Sequence, residues 1–339
     1  MSDNFSRKLS LFSFVFSIIV VAGHLIDVAS TDIFITKVIL RCISCLVAVA
    51  MGYFFFVSGY LFFRKFDMSQ LTRKWKKRVK SLLIPFVLWN IIGFIVSQHC
   101  EVPEELKIWQ LFLDVNHLAD GPLWYILCIM VYIISAPVFY WLIKKKVTFW
   151  IFWMILLIGN ITFNLEQKNA FFYSLPLFIL GAGVALHYHE QFEGWADTED
   201  RRNSYRVVWI KAILLFAFAT MVLLLFFYDV YADYHKYSHY LNRILAPLIV
   251  FGCFRKCEIR KEHPLWKSSF FIYSGHEILV NECMNHYVVK ELLFHYSWVT
   301  LSIVGIGGFT LGVVGSLILL YVVLQRFCPK ICAILSGNR

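Results

Sequence analysis

Residues 38–80 read VILRCISCLVAVAMGYFFFVSGYLFFRKFDMSQLTRKWKKRVK. The first 26 of them hold one charge, Arg41, and the next 17 hold eight basic residues. An apolar run needs roughly 20 residues to cross a bilayer as a helix. Water is absent there, so the backbone must satisfy its own hydrogen bonds, and a helix does so within one segment. A cationic stretch after such a run cannot follow it into lipid. The stretch therefore reads as one membrane span ending at an aqueous face.

The rest of the chain repeats that pattern. Of 339 residues, 59% are apolar and 16% are charged, whereas a soluble domain carries about 25% charged residues. A single soluble core also stops growing near 250–300 residues. The net charge of +10 could suggest nucleic acid, but no polar basic domain is present. The cations lie in short clusters between apolar runs. Nine Cys are scattered mostly within those runs, and Cys42 and Cys45 have C-x-x-C spacing without a further ligand set. They read as small buried hydrophobes, and no metal site is expected. Arg7 and Lys8 before an apolar run resemble a secretory leader. No small-residue cleavage site follows and many further spans do, so this run reads as a retained first helix.

Ten spans are expected, at 9–27, 38–63, 81–98, 123–143, 147–163, 171–187, 207–228, 240–254, 267–281 and 298–325. The eighth and ninth are short, with Pro247 and Gly275 expected to interrupt them. Broken helices often line a site. With the N-terminus inside, only Lys37, Arg41, Lys107, Lys168, Lys236, Arg243 and Lys290 fall outside, leaving 25 of 32 cations inside. That asymmetry sets an even span count and both termini in the cytoplasm. The expected fold is all-α: one polytopic membrane domain over 1–339, with a basic cytoplasmic loop at 64–80 and a cytoplasmic tail at 326–339.

Ionisable groups at membrane depth are costly and point to function. His24 lies some 15 residues into the first span, roughly 20 Å deep at 1.5 Å per residue. Asp27 is one turn further out. His276 and Glu277 reach a similar depth in the ninth span. Arg41, Asn242 and Arg243 open spans from the outer side, as does the run from Gly121 to Tyr125 that holds Trp124. These side chains could converge near the outer leaflet. Each also has a structural reading. A histidine in a span can satisfy a bond between helices, Arg41 and Arg243 can reach headgroups, and Trp124 and Tyr125 can form an interfacial belt. The basic segment 64–80 fits anionic lipid headgroups or a phosphate-rich cytosolic ligand.

Six segments together resemble the acyltransferase-3 family of integral membrane acyltransferases, which modify surface glycans. They are VVAGHLID at 20–27, GYFFFVSGYLFF at 52–63, KKRVKSLLIPFVLWN at 76–90, GPLWYILCIMVYIISAP at 121–137, LPLFILGAGVAL at 175–186 and SSFFIYSGHEIL at 268–279. The resemblance implies transfer of a short acyl group, usually acetyl from acetyl-CoA as co-substrate, to a hydroxyl of a surface or lipid-linked glycan. The expected setting is a bacterial cytoplasmic (inner) membrane.

His24 stands where the family has its essential histidine. Imidazole can act as a base or carry the acyl group, and both routes stay open. Arg73, Lys74, Lys77, Arg78 and Lys80 are expected to meet the phosphates of acyl-CoA. Tyr273 and His276 are expected to orient donor or acceptor, with Glu277, Trp124 and Arg243 as further supporting residues. The family commonly has an Arg ten or eleven residues before its histidine, where this chain has Phe14 and Ser13, and Arg41 is the replacement expected for charge. No other cofactor and no nucleic acid are expected. The competing class is an exporter that uses the same polar residues as a path.

Overall fold

The structure is a computed structural model, and it describes residues 2–24, 34–97, 109–114, 117–163, 169–197, 235–255, 257–285 and 306–337. Among these residues every regular element is helical. The chain forms α1 (Asp3–His24), α2 (Phe34–Phe63), α3 (Leu71–Arg78), α4 (Ile84–Ser97), α5 (Gln110–Leu113), α6 (Trp124–Ile134), α7 (Ala136–Ile143), α8 (Lys146–Phe163), α9 (Ala170–His187) and α10 (His189–Ala196). It continues with α11 (His235–Cys253), α12 (Ser269–Asn285), α13 (Ile306–Phe327) and α14 (Pro329–Leu335).

Among the described residues six helical segments are long and apolar enough to cross a membrane, and seven if the bent pair Gly121–Ile134 and Ala136–Ile143 counts as one. The six are Asp3–His24, Cys42–Phe63, Met68–Val96, Lys146–Phe163, Ala170–His187 and Gly307–Phe327. The chain is thus an integral membrane protein, all-helical among the described residues. The expected span 207–228 lies outside the described residues, as do residues 25–27, 98 and 298–305 of three other expected spans.

Three expectations change. The segment 64–80 is largely helical rather than a loop. It holds no Gly or Pro, and the Asp67 side chain accepts from the Ser69 N–H at 3.1 Å, opening a short turn that leads into α3. A π-helical turn at Val79–Leu83 then joins α3 to α4. Pro85 follows it, and a proline ring cannot pack against the carbonyl four residues earlier, here Ser81, so the widened turn relieves the clash. The fourth expected span bends by 64° at Ser135, where Pro137 sits in the first turn of α7. Neither Pro247 nor Gly275 interrupts its helix, since α11 runs unbroken from His235 to Cys253 and α12 from Ser269 to Asn285.

The chain divides into two compact units. The first holds Met1–Leu11, Ser44–Leu71 and Val131–Glu262. Here α2 and α9 cross at glycines. A Cβ on Gly59 would stand 2.1 Å from the Phe178 carbonyl oxygen, and one on Gly181 would stand 2.0 Å from that of Phe56. Only hydrogen side chains permit this approach, as in small-residue crossings within membranes. Pro176 cannot donate to the Phe172 carbonyl, and Asn160 Nδ2 of α8 does so at 3.1 Å. Phe5, Phe56, Tyr60, Phe192 and Phe251 pack edge to face or stacked beside this crossing.

Lys8, 1% exposed, donates to the carbonyls of Ala196 and Arg255, both at 3.0 Å, and pairs with Asp197 at 3.3 Å. Glu193 accepts from Tyr60 at 2.6 Å and from Arg64. Burial alone would raise the Glu193 carboxyl, but the bonds from Arg64 and Tyr60 and the charge of Arg64 outweigh it and lower its pKa to about 2.

The second unit holds Phe12–Ile43, Thr72–Met130 and His263–Arg339. In it α12 packs against α4, against α13 and against the 3₁₀ turn Gly121–Leu123. Gly275 makes room for Trp89, whose Cη2 would lie 2.8 Å from an added Cβ. That indole donates from Nε1 to the Leu335 carbonyl of α14 at 3.1 Å.

Candidate active site

Several ionisable groups of the second unit meet on α12. Tyr273, His276 and Glu277 stand at i, i+3 and i+4, so a helical backbone puts them on one face. His24, the last residue of α1, meets that face. Its Nδ1 lies 2.8 Å from Glu277 Oε2. Its ring centroid lies 4.9 Å from that of His276, inclined at 60°. The α1 helix is held to α12 lower down, where Ser17 Oγ donates to the Ser269 carbonyl at 2.9 Å.

The two histidines differ in exposure. His24 is 35% exposed and Glu277 is 21% exposed, whereas His276 is fully buried. His276 Nδ1 lies 2.7 Å from the Tyr273 carbonyl oxygen, which can only accept. The proton of the neutral ring is therefore on Nδ1, and Nε2 carries the lone pair. That buried nitrogen has no hydrogen-bond partner among the described residues. His24, His276 and Glu277 each offer one atom able to bind a metal ion, and those atoms all lie within 4.8 Å of one another. The members are some 250 residues apart in the chain, so no ligand motif marks them and only their similar depth along the helices points to a meeting.

The turn before α6 closes one side. Tyr273 Oη donates to the Pro122 carbonyl, and the Tyr273 ring packs edge to face on Tyr125 at 5.7 Å. An added Cβ on Gly121 would touch Glu277 Oε1 at 4.0 Å. Asp120 precedes that glycine and is 1% exposed, with neither carboxylate oxygen hydrogen-bonded among the described residues. Its burial, and the charge of Glu277, push its carboxyl well above the usual carboxylate range. Its N–H donates to Asn90 Oδ1 of α4 at 3.4 Å. Asp120 is not among the residues that depth along the helices singles out. The signal was its position, directly before Gly-Pro at the start of an apolar helix.

The structure thus gathers His24, Tyr273, His276 and Glu277, with Trp124 half-buried at the start of α6 in the same unit. Arg243 belongs to the first unit, where its guanidinium lies 4.8 Å from the Tyr173 ring centroid. Pro247, four residues on, leaves the Arg243 carbonyl without a helical donor, and α2 approaches that oxygen at Gly52, where a Cβ would stand 2.2 Å away. The side chains of Arg41 and Asp27 lie outside the described residues. Arg73, Lys77 and Lys80 are exposed on α3 and the π turn, and Lys74 and Arg78 are half-buried there.

A carboxylate beside one nitrogen of an imidazole orients the ring and stabilises its protonated form. The opposite nitrogen is then the one that can take a proton from a hydroxyl. A family model described as an acyltransferase domain matches residues 11–324 of the chain. No curated protein and no solved structure matches it.

Proposed function

The chain belongs to the acyltransferase-3 family, and from that premise we propose that it moves a short acyl group, acetyl first, from acyl-CoA to a hydroxyl of a surface or lipid-linked glycan. The observation that carries the reading is the 2.8 Å contact between His24 Nδ1 and Glu277 Oε2 at the end of α1. Glu277 holds the His24 ring so that Nε2 faces the acceptor. Nε2 takes the hydroxyl proton as the oxygen attacks the thioester carbonyl. The tetrahedral adduct expels CoA thiolate, and the His24 imidazolium returns the proton to that sulfur. One C–O bond forms and one C–S bond breaks. General base catalysis of this kind contributes about 10²–10⁴-fold.

The basic face of α3 and the following turn supports a cytosolic donor. Arg73, Lys74, Lys77, Arg78 and Lys80 lie within eight residues, enough charge to hold the phosphates of CoA. The cation asymmetry supports ten spans with both termini in the cytoplasm, and a bacterial cytoplasmic membrane as the site of action. Membrane lipid then surrounds the chain, and acyl-CoA and glycan reach it from opposite faces.

The test compares surface glycan from cells carrying the parent protein, the His24→Ala variant, or neither. The parent should add the mass of one acetyl group per modified sugar, and His24→Ala should match cells without the protein at equal membrane abundance. Glycan of unchanged mass that reaches the surface only when the parent is present would favour an exporter instead.

A further inference from the structure

We propose that His24, His276 and Glu277 also form a binding site for one divalent transition-metal ion of the zinc class, and that the bound ion blocks acyl transfer. The second half rests on the reading of His24 as the base.

The buried histidine carries the argument. Base catalysis uses His24 and Glu277 and leaves His276 Nε2 unexplained. That nitrogen is a bare lone pair, fully buried, with its ring fixed by the Nδ1 bond to the Tyr273 carbonyl at 2.7 Å. A ring nitrogen that donates to a backbone carbonyl while the other points at a site is the arrangement of metal-binding histidines. Two imidazoles and one carboxylate also suit zinc, with a fourth position left for water or substrate. The partial exposure of His24 and Glu277 gives the ion a way in.

Distances decide which state is the resting one. Bonds of about 2.0–2.1 Å in a tetrahedral ion hold neighbouring ligand atoms roughly 3.3–3.5 Å apart. His24 Nδ1 and Glu277 Oε2 are closer, at 2.8 Å, which leaves no room for an ion between them as they stand. All three ligand atoms lie within 4.8 Å, so shifts of roughly 1 Å seat the ion. The ion takes the Nδ1 lone pair, so the ring's single proton sits on Nε2. It also occupies the carboxylate that would stabilise an imidazolium. A ring bound through Nδ1 with its proton on Nε2 has no lone pair left to take the acceptor's proton, so the metal-free form is the working form.

The test uses the full chain in detergent, stripped with a chelator. Zinc alone is added, and bound metal is measured by elemental mass spectrometry after gel filtration. The parent should hold one zinc per chain. His276→Asn keeps a donor toward the Tyr273 carbonyl but loses the Nε2 lone pair, and should bind at least tenfold more weakly. Cobalt in the parent should give the visible bands of a tetrahedral site without thiolate charge-transfer absorption, which excludes the cysteines. Zinc should slow acetyl transfer by the parent, with recovery on adding chelator. Equal zinc binding by parent and His276→Asn, or no stoichiometric zinc, overturns the site. Zinc-loaded parent as fast as stripped parent overturns the inhibition. A stripped parent that transfers nothing, yet binds zinc as expected, overturns the catalytic reading and the inhibition together and leaves the metal site standing.

Discussion

Replacing Glu277 with Gln keeps the size of the side chain and an oxygen beside His24, but it removes the charge. The size of the effect follows from the contact. When His24 takes the acceptor proton, two unit charges face each other across the 2.8 Å now separating Nδ1 from Oε2. At an effective dielectric constant near 20 that attraction is about 6 kcal/mol. The groups are 35% and 21% exposed, so solvent screens part of it, and desolvation of the carboxylate offsets more. About 2–3 kcal/mol remains for the transition state, which is roughly 30- to 200-fold in kcat.

The assay is the initial rate of labelled acetyl transfer at saturating acetyl-CoA, with variant and parent matched for folded protein by gel filtration. The KM for acetyl-CoA should stay level, because in this account Glu277 acts on His24 and not on the donor. In the double variant His24→Ala, Glu277→Gln, the glutamate has nothing left to orient, and the rate should equal that of His24→Ala alone. A Glu277→Gln rate within twofold of the parent would refute the reasoning. So would a double variant slower than His24→Ala by the full Glu277→Gln factor.

Gly181→Ala drives a methyl to 2.0 Å from the Phe56 carbonyl oxygen, so it should cost about 1–3 kcal/mol and lower the melting midpoint in detergent by several degrees, while Gly159→Ala, whose methyl meets nothing within 4 Å, should not. The lowered Glu193 carboxyl, at about 2 against an ordinary 4.5, adds stability that is fully present above pH 4.5 and is lost as pH falls toward 2; in Glu193→Gln an acid melting series should lose that slope. Neutralising Arg78 and Lys80 together should raise the KM for acetyl-CoA about fivefold or more with kcat retained, and an unchanged KM would leave those cations to lipid headgroups.

The sequence makes the membrane class legible because lipid imposes a simple rule, a long apolar run between charged ends. Ala170–His187 and Lys146–Phe163 match their expected spans within one residue at their N-terminal ends. The rule is silent on what charged segments do outside lipid, so the cations of 64–80 were read for topology while their helical periodicity was passed over. It is equally silent on bends, although Pro137 marked one.

Depth counted along each helix was enough to put His24, His276 and Glu277 at one level, and they do meet. Depth carries no rotation about the bundle, so it could not show that Arg243 stacks on Tyr173 in the first unit. Gly275 looked like a break because glycine is a poor helix former. Its place in the fold is set instead by the width of the Trp89 indole. Asp120 is a related case: its place before Gly-Pro marks a helix start, but its burial shows only when the helices around it are known.

The most direct measurement places the purified full chain in lipid vesicles with radiolabelled acetyl-CoA and extracted glycan acceptor, and follows the label. Parent protein should move label from CoA to glycan, while His24→Ala, recovered in equal amount and with the same elution, should leave it on CoA. Transfer by His24→Ala at close to the parent rate would contradict the account.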